Sequence, residues 1–264
     1  MRKISDLRII IDMTIVRESL HDKVVRHLAL KIIAGGFTTL PNEADLGKEL
    51  NVSRSILRES IKVLAAKGLI EVGPTGTRVR PRENWNLLDP RLLEWISEHG
   101  NNEYFFGNLC ELRMAFEPKV AELAAQRATS DDIESIQTAW EEMRLASNDR
   151  EAYNAADLRF HQAILTACRN ELFFHVGGFT RIFLRMSFTL TSTTREHFAS
   201  SLPLHKKVLL AIRKGDACAA KRRMEEVIET ATAQISRLLK YDGQRPSRIQ
   251  GRSAIRNLNG RKKP

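Results

Sequence analysis

Apolar residues recur along this chain with helical spacing almost from end to end. In the first stretch, 18–34, Val25, Leu28, Ala29 and Ile32 fall at i, i+3, i+4 and i+7, which predicts an amphipathic helix closed by Gly35-Gly36. A short helix follows Pro41, over about 42–50, and then the turn Asn51-Val52. Ser53 is a fitting N-cap for a third helix over 54–67, which Gly68 stops. Two β-compatible runs, Leu69–Val72 and Thr77–Arg80, are joined by Gly73-Pro74-Thr75-Gly76 and read as a hairpin. Pro81 and Pro90 bracket a connector that carries Trp85. Between 91 and 240 there are only two prolines and five glycines, and the pattern predicts helices near 91–99, 103–128, 130–147, 150–169, 171–191, 202–214 and 216–240.

This order predicts a mainly α protein. An N-terminal winged helix-turn-helix with a small β-hairpin wing precedes an antiparallel all-α bundle. The expected divisions are an extension at 1–16, a head at 17–83, a linker at 84–90, a helical body at 91–241 and a tail at 242–264. A body of about 150 residues is large enough to bury its own core.

Charge sharpens the division. The chain carries a net charge of +10. Residues 1–85 hold 15 Lys and Arg against 10 Asp and Glu, residues 86–239 hold 19 against 21, and residues 240–264 hold 8 against 1. A basic head on a mildly acidic body points to a nucleic-acid-binding unit joined to a unit that binds something else. The tail has almost nothing apolar to bury and is expected to be a solvated basic extension. No apolar stretch approaches the roughly 20 residues that a bilayer needs, and no secretion signal is evident. Cys110, Cys168 and Cys218 lack CxxC spacing, which argues against a disulfide scaffold or a thiolate zinc knuckle. The expected location is the cytoplasm, with no membrane partner.

The third helix separates an apolar stripe, Leu57, Ile61 and Leu64, from a basic one, Arg54, Arg58 and Lys62. A recognition helix requires that separation: one face for its own core, another for the major groove. Arg54 lies in the first turn, where a guanidinium can pair with guanine edges or phosphate. Ser53 and Ser55 offer hydroxyls and helix-start N–H groups to phosphate, and Thr75, Gly76 and Thr77 would meet the backbone or minor groove from the wing. A basic helix in an ordinary small domain accounts for any one of these features; the full order favours double-stranded DNA.

The run LPNEADLGKELNVSRSILRESIKVLAAKGLIEV resembles the DNA-binding head of GntR-family bacterial transcription factors, through Leu40-Pro41, Glu43, Leu46, Val52-Ser53-Arg54, Arg58-Glu59 and Leu64…Gly68-Leu69. The resemblance implies DNA contacts by Arg54 and Arg58. Ala44 stands where some members carry a DNA-contacting arginine. The body, over about 103–240, resembles the FadR-type C-terminal (FCD) domain of the same family, through Leu112-Arg113…Glu117-Pro118, Asp157…Phe160-His161 and His205…Ala211-Ile212.

That second resemblance implies a small-acid effector site. Arg113 would grip the effector carboxylate, and it could also pair with Glu117 at i+4. Many members hold a metal with one Asp and three His; the matching residues here are Asp157, His161 and His205, and Val227 stands where the third histidine would fall. Asp157 and His161 share a helix face by spacing alone, and two imidazoles with a carboxylate suit a zinc- or nickel-like ion. Two outcomes stay open: a metal held by three protein ligands and effector oxygens, or no metal, with the three residues bonding the effector directly. The connector from Asn84 to Asp89, with Trp95 and the run around Asp149–Asp157, further resembles a sugar-acid-responsive branch of the family, which implies a galactonate-like effector. Hexuronate, lactate and acyl compounds are the competing effectors. The reading is a homodimeric regulator, a repressor of a palindromic operator released by its effector. A metal-dependent helical enzyme using Asp157, His161 and His205 is the alternative from another class, and it lacks an evident base or nucleophile beside those residues.

Overall fold

The computed structural model describes residues 18–99, 103–146, 148–182, 184 and 195–239. The expected N-terminal extension and basic tail lie outside the described residues. The chain divides into two compact units at 99/100.

In the first unit, α1 spans Leu20–Ile33, α2 Glu43–Leu50 and α3 Arg54–Ala66. Each begins on a side-chain cap: Ser19 accepts from Asp22 N, Asn42 from Ala44 N and Asp45 N, and Ser53 from Ile56 N. These caps explain why the starts were legible within a residue or two. Between α2 and α3 the chain turns through Asn51, which adopts the left-handed conformation at φ 51°. Val25, Leu28, Ala29 and Ile32 of α1 are buried, as are Leu57, Ile61 and Leu64 of α3, and the two helices pack together. Strands β1, Ile70–Gly73, and β2, Gly76–Val79, form the antiparallel wing, with Ile70 opposite Val79. A bridge from Thr39 to Arg78 ties the wing back to the segment before α2.

The first unit extends past the expected linker. Helix α4, Pro90–Glu98, packs on α1 within this unit rather than opening the bundle. Its apolar face, Leu92, Leu93, Trp95 and Ile96, is buried, and ion pairs Arg26–Glu98 and Arg91–Asp22 flank it. The segment before it is docked as well. Asn86 N donates to Lys67 O at 2.9 Å, and Trp85 Nε1 donates to Arg80 O at 3.0 Å. Gly68, at φ +77°, brings its backbone so near that a Cβ there would sit 2.5 Å from Asn84 O. The apolar stripe of 91–99 shows that it needs a core but not which core it joins.

The second unit is a helical bundle: α5 Glu103–Arg127, α6 Ser130–Leu145, α7 Arg150–Ala167, α8 Glu171–Val176, α9 Arg195–Arg213 and α10 Ala217–Leu239. Helix α5 packs against α7, α9 and α10, and α6 against α7 and α9. Two expectations fail locally. The helix expected over 171–191 breaks for one residue at Gly177 and is helical again over 178–182; a Cβ at Gly177 would lie 2.4 Å from Leu165 Cδ1, so the chain can pass this close to α7 only without a side chain. The last part of that expected helix, 185–191, lies outside the described residues. The helix expected from 202 begins at 195 and runs through Pro203, with Trp140 Nε1 donating to the Leu202 carbonyl at 3.3 Å and Gln234 to Ser200 Oγ at 3.0 Å. Tertiary contacts outweigh the proline there.

Candidate functional site

Three elements of the bundle converge on a buried polar cluster. Arg113 and Glu117 stand one turn apart on α5, Asp157 and His161 one turn apart on α7, and His205 comes from α9. All five are buried, with exposures between 2% and 5%. The nearest ligand atoms of Asp157, His161 and His205 lie within 4.8 Å of one another. Phe160 walls the cluster, its ring edge-on to both imidazoles.

The hydrogen bonds decide which ring atoms face inward. His205 Nδ1 lies 2.9 Å from the Ser201 carbonyl, which only accepts, so Nδ1 carries the proton. His161 Nδ1 lies 3.1 Å from Glu117 Oε2, a carboxylate that also only accepts. Both Nε2 atoms face Asp157 Oδ1, at 3.0 Å from His205 and 3.5 Å from His161, and in the neutral rings they carry the lone pairs. The His205–Asp157 contact is an ion pair when the ring carries both protons, and with a neutral ring it sets two lone pairs face to face. Three possible ligand atoms converging in a buried site fit a divalent cation, and the carboxylate–imidazole donor set suits a zinc- or nickel-like ion. Val227 is buried and has no donor atom, so the cluster offers three possible ligand atoms.

Arg113 is engaged by Glu117 through both oxygens, at 2.5 Å from Nε and 3.1 Å from Nη2. Thr180 Oγ1 donates to the same carboxylate at 2.8 Å. Burial pushes the Glu117 carboxyl upward, but Arg113 and His161 outweigh it and hold it well below the usual carboxylate range. Burial likewise pushes Asp157 upward, and His205, His161 and Arg113 bring it below its ordinary value. Thr180, Ser201 and the buried Tyr153, one turn before Asp157, escaped the sequence reading. Thr180 and Glu117 are 63 residues apart, and no local pattern joins them.

In the head, Ser53, Arg54, Ser55, Arg58 and Lys62 all lie on the exposed face of α3 or at its start, and Thr75, Gly76 and Thr77 lie at the wing tip. Arg58 Nε pairs with Glu43 at 2.8 Å and Lys62 Nζ with Glu59 at 2.8 Å. Such exposed pairs are weak, and a phosphate can replace the carboxylate at little cost. Arg78, exposed on β2 and donating to Thr75 Oγ1 at 3.3 Å, adds a cation that the sequence reading missed.

Comparison with known proteins settles the family. Residues 16–79 match the bacterial regulatory proteins of the gntR family, and residues 108–230 match the FCD domain. The galactonate operon transcriptional repressor of Escherichia coli K12 is 34% identical over 82% of this chain and 97% of its own length. The chain belongs to the gntR family. The regulator YieP of the same organism, an uncharacterized HTH-type protein, is 30% identical over 77% of this chain and 90% of its own. Among solved structures, Lar of Listeria monocytogenes, which controls expression of the agr system and mediates virulence, superposes with a TM-score of 0.58 at 21% identity, over 83% of this chain and 98% of its own. That likeness shows the fold alone. This gntR-family protein is therefore a transcription regulator with an FCD domain, and its family and relatives are regulators rather than enzymes. Among the described residues, no helix is long and apolar enough to cross a membrane.

Proposed function

We propose that this regulator is a cytoplasmic, homodimeric repressor released from a palindromic operator by a small polyhydroxy sugar acid of the galactonate type. The observation that carries the reading is the buried cluster of Arg113, Asp157, His161 and His205, in a chain similar over nearly the whole length of a galactonate operon repressor. In this reading a zinc- or nickel-like divalent ion is held by Asp157, His161 and His205. When bound, the ion supplies a Lewis-acidic centre for effector oxygens, in place of the ligand that Val227 does not provide. Arg113 orients the effector carboxylate beside Glu117. In the head, Arg54 and Arg58 contact base edges and phosphate, Ser53, Ser55 and Lys62 hold the backbone, and Thr75 to Thr77 approach from the wing. The effector acts because it binds one arrangement of the paired heads better than the other.

The test is a binding titration of the DNA upstream of the protein's own gene, at physiological salt, with and without D-galactonate and Zn²⁺. Selective binding that D-galactonate reverses supports the reading. Equal affinity for that DNA and for random duplex refutes the operator role, and release by L-lactate or a hexuronate but not by D-galactonate refutes the effector.

A further inference from the structure

Glu117 touches both halves of the cluster. Its Oε1 accepts from Arg113 Nε at 2.5 Å and from Thr180 Oγ1 at 2.8 Å, while Oε2 lies 3.1 Å from both Arg113 Nη2 and His161 Nδ1. We propose that Glu117 is a positioning residue that couples the anion-binding arginine to the ion-binding histidine, so that a divalent cation and a monocarboxylate each strengthen the binding of the other. This rests on the functional reading above and adds a regulatory property to it.

Geometry gives the first reason. A carboxylate only accepts, so the ring nitrogen facing Glu117 must carry a proton, and His161 is held with its Nε2, the ligand atom of the neutral ring, toward Asp157. Thr180 and Arg113 fix the carboxylate from its other sides, so the ring cannot turn without breaking several buried bonds. An amide at position 117 would keep the shape but could donate as well as accept, and the tautomer of His161 would no longer be dictated.

Charge gives the second. With neutral rings, Arg113 and Glu117 cancel and Asp157 leaves one net negative charge in a buried site. An incoming carboxylate would meet a guanidinium already bonded through two nitrogens to Glu117, next to a second carboxylate. Anion binding is then opposed. A divalent cation reverses the balance to one net positive charge, which a single carboxylate neutralises. The dependence is reciprocal: the factor by which the cation raises anion affinity is the factor by which the anion raises cation affinity.

The experiment uses the full-length protein. Zn²⁺ affinity is measured by competition with a chromophoric chelator, with and without D-galactonate, and D-galactonate affinity by calorimetry, with and without Zn²⁺. The wild type should show the same enhancement factor in both directions. Glu117→Gln should lower Zn²⁺ affinity by about 10- to 100-fold, the usual effect of losing a partner behind a metal-ligating histidine, and abolish the enhancement. Thr180→Val, which keeps the charge and removes one bond to Glu117, should weaken Zn²⁺ by a smaller factor, and it decides the matter if Glu117→Gln does not fold. Wild-type Zn²⁺ affinity in the variant that folds, or an enhancement that survives in Glu117→Gln, overturns the coupling role alone. A wild type that binds no Zn²⁺ overturns the ion reading beneath it.

Discussion

Asp89 sits near the end of the expected linker, just before the expected body, and it does two jobs there. Its Oδ1 caps α4 by accepting from Leu92 N at 3.0 Å, and its Oδ2 takes Lys67 Nζ at 2.6 Å. The lysine side chain is 11% exposed and the aspartate 22%. Asp89→Ala removes both interactions. Losing the cap costs about 1 kcal/mol. Stranding a buried ammonium costs roughly 3–5 kcal/mol when burial is complete, a figure that must be cut because both groups keep some water. The net expectation is a loss of about 2–3 kcal/mol from the head. Burial pushes the Asp89 carboxyl upward, but Lys67 and the Leu92 N–H outweigh it and leave the group below its ordinary value. A carboxyl depressed in the folded state contributes stability above its unfolded pKa and loses it as pH falls through the folded one. The gap between wild type and Asp89→Ala should therefore be full at neutral pH and narrow below about pH 4. Urea titration by tryptophan fluorescence in a Trp140→Phe background reports on the head alone, through Trp85 and Trp95. Lys67→Met should show a comparable loss, and the double variant should lose less than the sum of the two. An Asp89→Ala protein within about 0.5 kcal/mol of wild type at pH 7, the range of ordinary surface changes, would refute the reasoning.

Arg54→Ala should lower operator affinity by about 1–3 kcal/mol per half-site while leaving the melting curve unchanged; fluorescence anisotropy with labelled operator checks it, and wild-type affinity would remove Arg54 from the interface. Arg113→Ala should abolish the galactonate response and also destabilise the bundle by about 3–5 kcal/mol, because it strands a buried carboxylate. An Arg113→Met/Glu117→Gln double variant should recover most of that loss in calorimetry, and a single variant as stable as wild type would contradict the pair. Of the three cysteines, only exposed Cys218 should react promptly with Ellman's reagent at pH 8, since Cys168 is buried and burial pushes the Cys110 thiol up to about 11; two prompt equivalents in the native protein would contradict the packing.

What the sequence disclosed follows the range of the forces involved. Caps such as Ser53 act within three residues, so the helix starts of the head were legible. The pairs Arg113–Glu117 and Asp157–His161 are one helical turn apart and were legible for the same reason, whereas His205 was placed only by family likeness. Long-range contacts were not legible. Nothing in the spacing says that Glu117 reaches His161 as well as Arg113, or that Thr180 holds it from a different element. The prolines at 81 and 90 read as a linker because proline marks a break in regular structure; it does not say whether the irregular segment is docked. Here Gly68 lets Asn84 come close and Lys67 holds Asp89, so the connector became part of the head. Gly177 is a different case: the helical pattern holds on both sides of it, and the approach of Leu165, which no spacing shows, is what requires a glycine there.

The bundle core also carries a cost that stability alone does not explain. Most buried positions in this unit are aliphatic or aromatic, and apolar side chains of similar volume at 113, 117, 157, 161 and 205 would pack there without desolvating charge. The chain instead buries an arginine, two carboxylates and two imidazoles, and it supports them with Thr180 and the Ser201 carbonyl. A purely structural polar network would satisfy itself. This one pairs Arg113 with Glu117 closely, whereas Asp157 Oδ1 and His205 Nε2, 3.0 Å apart, bond each other only if the ring takes a second proton. The imbalance falls on the atoms able to take an ion, which is where a site kept for ligand rather than for folding would leave it.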